Sequence, residues 1–343
     1  MTRPSSANCR SWSTLEAVLN WLRRLRPDPY VVAILAMVAL ASVLPVRGTI
    51  AADFDVLTKL AIALLFFMHG ARLSREAVIA GITHWRLHLL ILATTFLLFP
   101  VLGLAAQLLP ASILPPSLGA GVLLLCCLPS TVQSSIAFTS VARGNIAAAV
   151  CAASASNLFG IFITPVLVGA LMSAHGAGFS WSEVEAVVVQ LLLPFLAGQV
   201  ARRWLVGWIG RHSRLVGLTD RGSILMIVYG AFSAAVVQGI WQKVSVVQIL
   251  WLIGICAALL AIVLAFTAFA SRGLGFNKED EITIVFCGSK KSLASGVPMA
   301  GILFPAGHSG AASGLLLLPL MIFHQLQLMA CAVIAQRYAA RPQ

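Results

Sequence analysis

Apolar runs of roughly 17–25 residues recur along the chain, each long enough to cross a bilayer as a helix. Ten are read, at about 30–46, 54–70, 87–109, 117–139, 145–172, 185–203, 222–239, 246–270, 280–305 and 310–337. Short polar segments separate them. Two runs are less uniform than the rest. The fourth is interrupted by Pro129-Ser130-Thr131-Val132-Gln133-Ser134-Ser135, the ninth by Gly288-Ser289-Lys290-Lys291-Ser292 followed by Gly296 and Pro298. Unwound backbone inside a membrane survives only where it lines a cavity or meets another polar element.

The interruptions fall at the fourth run of each half. Residues 29–172 and 183–338 read as two five-helix repeats, and an odd number of spans gives the second repeat the opposite topology. Paired breaks in inverted halves place a binding site near the midplane. There the breaks can satisfy each other by crossing, and half-helix N-termini can face an anion. The expected architecture is an all-α polytopic membrane protein of ten transmembrane helices. Before the first span, Trp12, Leu15, Val18, Leu19, Leu22 and Leu25 recur at helical spacing beside Arg23, Arg24 and Arg26. Residues 1–28 therefore read as a cytoplasmic tail with an interfacial amphipathic helix. This polar, arginine-bearing stretch lacks the short apolar core of a secretory signal.

Composition agrees with the pattern. Of 343 residues, 59% are hydrophobic and 10% charged, against about 25% charged in soluble domains. Mean hydropathy is +0.95. The net charge of +12 does not point to nucleic acid, because the basic residues lie in short segments between apolar runs. With the N-terminus inside, 18 of the 23 Lys and Arg residues fall on inner segments and 3 on outer ones; the other two are Lys290 and Lys291. That split predicts both termini in the cytoplasm. All eleven carboxylates fall in loops or at span ends, so no carboxylate-based ion site is expected at depth. The seven cysteines have no CxxC spacing and read as small buried hydrophobes. No phosphate loop, HExxH or nucleophile elbow is present, so no enzymatic activity is expected.

Lys290 and Lys291 are the strongest pointer to chemistry. An ammonium among membrane helices marks a substrate or ion path by default; the bland reading is a lysine that holds two helices by donating to freed carbonyls. Around the breaks, Thr131, Gln133, Ser134, Ser135, Gly288, Ser289 and Ser292 join the lysines as candidates for substrate or ion binding. Ser154 and Asn157 on the fifth span and His324 on the tenth complete the set. Gln107, Gln199 and Gln327 read as interhelical hydrogen bonds of about 1 kcal/mol.

Cys127-Leu128-Pro129-Ser130-Thr131-Val132-Gln133-Ser134-Ser135, with Ala142-Arg143-Gly144-Asn145 after it, resembles the fourth-helix signature of the bile-acid:sodium symporter superfamily. Phe286-Cys287-Gly288-Ser289-Lys290-Lys291-Ser292-Leu293 with Gly296-Val297-Pro298-Met299 resembles its SBF-like branch more closely. The resemblance covers about residues 28–338. It implies crossed, broken helices four and nine, a panel of spans one, two, six and seven, a core of the other six, and alternating access. Sodium-coupled members carry a Glu and a Gln where this chain has Val285 and Ser289, and their Ser-Asn pair appears as Ser134-Ser135.

The resulting expectation is a secondary transporter of a small organic anion in a bacterial inner membrane. A lysine, Lys291 in preference to Lys290, would meet the anion and stand where related carriers bind sodium. Proton coupling is expected, with no cofactor or metal. The alternatives are a sodium-coupled anion symporter, a cation/proton antiporter, and a non-transporting regulator of ion or calcium homeostasis. Oligomeric state is left open.

Overall fold

A computed structural model describes residues 29–72, 84–173, 181–237, 239, 244–304 and 313–341. The predicted tail helix at 12–26, and Cys9 with it, lie outside the described residues. Those residues form helices and connecting turns, with no strand among them. In chain order the helices are α1 (Pro29–Val43), α2 (Thr49–Arg72), α3 (Trp85–Ala93), a π-helical turn (Thr94–Leu98), α4 (Phe99–Ala106), α5 (Pro116–Cys127) and α6 (Gln133–Val141). Then come α7 (Ile146–Ser173), α8 (Trp181–Arg211), α9 (Ser213–Val237), α10 (Val246–Gly273), α11 (Lys278–Gly288), α12 (Leu293–Leu303) and α13 (Ser313–Ala339).

Five described helical segments are long and apolar enough to cross a membrane: Trp85–Ala106, Ile146–Met172, Arg214–Val237, Val246–Gly273 and Gly314–Ala339. Val32–Val43 and Pro116–Cys127 are shorter apolar helices. Large apolar side chains line the outside, among them Leu193, Trp204, Leu250 and Phe269. On a soluble monomer such exposure would be an aggregation hazard; facing lipid, it is the surface a bilayer requires.

Start signals are legible where the ends are polar. Ser245 and Gln248 form a reciprocal capping box at α10. Asn277 caps α11 through the Asp280 N–H, and Glu279, Asp280 and Glu281 fill its first turn, where the helix dipole favours negative charge. Glu281 is almost fully buried. Its Oε1 accepts from Arg272 Nε and Nη2 (3.2 and 2.9 Å) and from the Tyr338 hydroxyl (3.0 Å), and its Oε2 accepts from Lys278 Nζ (2.6 Å). Asp280 accepts from Asn145 Nδ2 at 2.9 Å. These contacts fasten α10, α11, α13 and the α6–α7 turn together. Arg143 in that turn takes the left-handed conformation at φ 60.

The helices pack as two groups. In the first, α2 packs along α8, and α9 packs on α1 and α2; the second contains α3–α7 and α10–α13. Two glycines set the α2–α8 spacing: a Cβ at Gly70 would lie 2.0 Å from the Phe195 carbonyl oxygen, and one at Gly198 2.0 Å from that of Phe67. The groups meet where α8 packs on α7 and α12, and α9 on α12 and α13. Gly314 at the start of α13 abuts Ala235 and Phe232, while Gly301 of α12 faces Ile227 and Ile62.

Candidate functional site: a crossover with two buried lysines

Both predicted interruptions are real breaks. Between α5 and α6, Leu128 is extended at ψ 155, and Pro129 offers no N–H to continue the helix. Between α11 and α12, Ser292 is extended and caps α12 through the Ser295 N–H. The breaks touch directly: the Ser292 N–H donates to the Pro129 carbonyl at 2.9 Å.

Each broken helix presents carbonyls that have lost their helical partners, and each break satisfies those of the other. Ser130 Oγ donates to the Cys287 carbonyl (2.5 Å) and Ser135 Oγ to the Phe286 carbonyl (3.1 Å), closing the end of α11. At the end of α5, Thr164 Oγ1 donates to the Cys127 carbonyl at 2.8 Å. Lys291 does the rest. Its Nζ donates to the carbonyls of Thr95 (2.8 Å), Cys126 (2.8 Å) and Leu128 (2.7 Å). An ammonium has three donors, so every one is used. The Phe99 ring face lies 4.1 Å from the same nitrogen, and the residue has no solvent exposure. The positive charge sits at the negative end of the α5 dipole. A small alkali cation would be held in the same manner, by inward-facing oxygens.

The third carbonyl has a local cause. In the π turn the Phe99 N–H bonds to Thr94 O, five residues back. The next donor in that register belongs to residue 100, which is proline and has none. Thr95 O is left over and takes Lys291.

Lys290 points the other way. It too is fully buried. Its Nζ makes one hydrogen bond, to Ser134 O at 2.9 Å, and lies 4.0 Å from the Phe138 ring centroid and 5.3 Å from that of Phe286. Adjacent lysines thus serve opposite faces of one break.

The other candidates gather around this point. Thr131 Oγ1 is within hydrogen-bond reach of Ser134 Oγ (2.7 Å) and Ser135 Oγ (2.9 Å). Gln133 is exposed at the start of α6, which no side chain caps. Asn157 Nδ2 donates to Ser130 O at 2.8 Å, and its Oδ1 accepts from Ser295 Oγ at 2.6 Å. Ser154 lies half-buried one turn earlier on α7. Ser289 Oγ donates back to Val285 O at 2.6 Å. Gly288 packs beside Thr94 and Thr267, where a Cβ would be tight. His324 Nδ1 lies 2.9 Å from Nε2 of Gln327.

Gln327 belongs to the site more closely than its sequence setting implies. Its Oε1 accepts the Lys291 N–H (2.8 Å) and its Nε2 donates to the Lys291 carbonyl (2.9 Å), clamping the backbone of the break. Ser130, Ser156, Ser295, Thr95 and Gln327 also make crossover contacts, and the candidate set omitted them. For Ser130 and Ser156 the signal was available: both are small polar residues at or facing a break, and Ser156 Oγ receives the Ser130 N–H at 3.0 Å. Gln107 forms the expected interhelical bond, reaching Gly119 O at 2.9 Å. All six described cysteines are free and buried.

An all-helical chain with apolar helices of membrane-crossing length and a polar crossing of broken helices inside its bundle is a polytopic membrane protein laid out for transport. The chain belongs to the SBF-like CPA transporter family, whose model matches residues 28–340. It is 55% identical over 312 residues to the Escherichia coli K12 protein named "Putative symporter YfeH", covering 91% of this chain and 92% of that one. It is 54% identical over 319 residues (93% and 95%) to the uncharacterized protein PA2026 of Pseudomonas aeruginosa. It is 29% identical over 319 residues (91% and 93%) to the sodium/bile acid cotransporter 7 of Rattus norvegicus. Its membership places it in the bile acid:sodium symporter superfamily, as a transport protein and not an enzyme.

Proposed function

We propose that this protein is a secondary transporter that carries a small organic anion across a bacterial inner membrane by alternating access, with Lys291 standing where sodium-coupled relatives hold a cation. One observation carries the reading. Two lysine amines lie buried at the crossover, and the contacts they make among the described residues are with carbonyl oxygens and ring faces, not with carboxylates. A positive charge in a membrane interior with no carboxylate beside it is costly, and a mobile anion is the natural counter-charge. The uncapped start of α6, with Thr131, Gln133 and Ser134, is the place for it to bind, next to the carbonyl that holds Lys290.

This revises the part each lysine plays. The sequence favoured Lys291 as the group that meets the anion. With its three donors spent on carbonyls, Lys291 acts through its field, as the bound sodium does in relatives. The positions of the sodium-binding Glu and Gln hold Val285 and Ser289, and neither supplies a carboxylate.

The reading keeps ten spans in two inverted repeats, with a panel and a core; the two packing groups are what supports that division. By the charge count, the contacts Gly314–Ala235 and Gly301–Ile227 lie toward the outer face. The reading is therefore of a carrier closed outside, with both termini and the Glu281 cluster in the cytoplasm.

The test is uptake of a panel of radiolabelled mono- and dicarboxylates and organic sulfates into proteoliposomes, with sodium replaced by N-methylglucamine. Uptake of at least one anion that persists without sodium is expected. Uptake that requires sodium at fixed pH, or export of a cation with no anion flux, would overturn it.

A further inference from the structure

The two lysines make unlike contacts, and the difference has chemical consequences. A neutral Lys291 amine would have two N–H groups for three carbonyl oxygens at 2.7–2.8 Å, and its lone pair would face the third oxygen. Losing the proton there breaks a charge-assisted contact and creates a repulsive one. A neutral Lys290 amine keeps its one bond to Ser134 O and gives up only the attraction of two ring faces, a weaker loss.

Among the described residues, Lys290 meets no carboxylate. On α6, from Gln133 to Val141, there is no ionisable residue. From α11 and α13 the titratable groups acting on Lys290 are the thiols of Cys287 and Cys331, and Lys291 is its neighbour in the break. The three acids of α11 lie in its first turn, at the far end. Among the described residues, no acidic group is placed to hold Lys290 permanently charged.

We propose that the lysines divide the work: Lys291 remains an ammonium throughout the cycle, and Lys290 takes up a proton when the anion arrives and releases it when the anion leaves. This rests on the transport reading above and deepens it. Ammonium formation at Lys290 consumes one proton per anion, so a monovalent anion and its proton move without net charge and a dianion moves one negative charge, and the proton leaves to water when the site empties.

The chain has five lysines, Lys59, Lys243, Lys278, Lys290 and Lys291, few enough to follow singly. Protein labelled with 13C at lysine Cε, in nanodiscs without added organic anion, is titrated by NMR across the pH range over which it stays folded. Arginine substitution of Lys59, Lys243 and Lys278 isolates two buried lines. Lys290→Met assigns one of them; where that variant does not fold, Phe138→Leu and Phe99→Leu identify the lines by moving the Lys290 and Lys291 resonances respectively. The Lys290 line is expected to titrate and the Lys291 line to hold the ammonium position. A Lys291 line that titrates, or a Lys290 line that stays at the ammonium position throughout, overturns the proposal. The proteoliposome assay is read separately. Sodium-independent anion uptake with an invariant Lys290 line sinks this assignment alone, while a titrating Lys290 without anion uptake sinks the transport reading.

Discussion

Replacing Lys291 by methionine keeps most of the side-chain volume and removes the charge. The carbonyls of Thr95, Cys126 and Leu128 would then face an apolar chain. Each buried acceptor left unpaired costs about 1–3 kcal/mol, so three give a gross loss of roughly 3–9 kcal/mol. Part is offset, because the variant no longer buries an ammonium. Removal of one partner from a buried charged set costs about 3–5 kcal/mol net, and we expect Lys291→Met to fall there. At roughly 2–4 °C per kcal/mol for a large domain, purified protein followed by tryptophan fluorescence should melt on the order of 10 °C lower. Lys290→Met removes one hydrogen bond to Ser134 O, a carbonyl inside α6 that keeps its helical partner, and should cost only about 1 kcal/mol. Lys291→Ala adds a second arm, because it leaves three inward oxygens around an opening. Methylammonium or sodium at a hundredfold over its Kd would return about 2.7 kcal/mol, which should appear as a cation-dependent rise in melting temperature absent from wild type. Melting of Lys291→Met with wild type, or a larger loss from Lys290→Met, would refute the assignment of Lys291 as the charge that holds the crossover.

Two further outcomes concern the frame around the site. Gly70→Ala and Gly198→Ala each drive a methyl group onto a backbone oxygen of the facing helix. Both should lose about 1–3 kcal/mol or more, whereas Gly207→Ala and Gly210→Ala, with nothing within 4 Å, should be neutral or gain up to about 1 kcal/mol; equal melting of all four would contradict the α2–α8 packing. Glu281→Gln removes the carboxylate shared by Arg272, Lys278 and Tyr338. With the Arg272 and Lys278 side chains 52% and 46% exposed, water can take over part of their solvation, so the loss should be about 1–3 kcal/mol and should shrink in high salt; a salt-independent loss, or none, would show that the cluster does not fasten the helix ends.

The broken helices were legible because their causes are local. Pro129, set among polar residues, brings no N–H to continue α5, though Pro165, Pro194 and Pro319 sit inside unbroken helices; a Gly-Ser-Lys-Lys-Ser run cannot sit undisturbed in lipid. That the breaks would be polar and face each other followed from the need to satisfy freed carbonyls. The partner of Lys291 in the third span was hidden. Span three read as a uniform apolar helix, and the free carbonyl of Thr95 arises only when a π register meets Pro100. Neither the register nor the approach of that turn to α5 is encoded in hydropathy. Gln327 was taken as an ordinary interhelical bond for the same reason, since its target is a stretch of backbone 36 residues away. The opposite aim of two neighbouring lysines is likewise invisible in one dimension. It follows from the extended Ser292 and the direct bond between breaks, which turn successive side chains to opposite faces. The division of the helices into two packing groups came into the sequence reading only through family resemblance.

The central claim is that a side-chain ammonium occupies the oxygen site at the crossover. The most direct measurement is a cryo-EM map of the protein in nanodiscs, in a buffer rich in sodium, detailed enough to show bound ions. The account predicts continuous side-chain density from Lys291 to the carbonyls of Thr95, Cys126 and Leu128, with no separate peak between those oxygens. A discrete ion among the three carbonyls, with the lysine turned away from them, would contradict it.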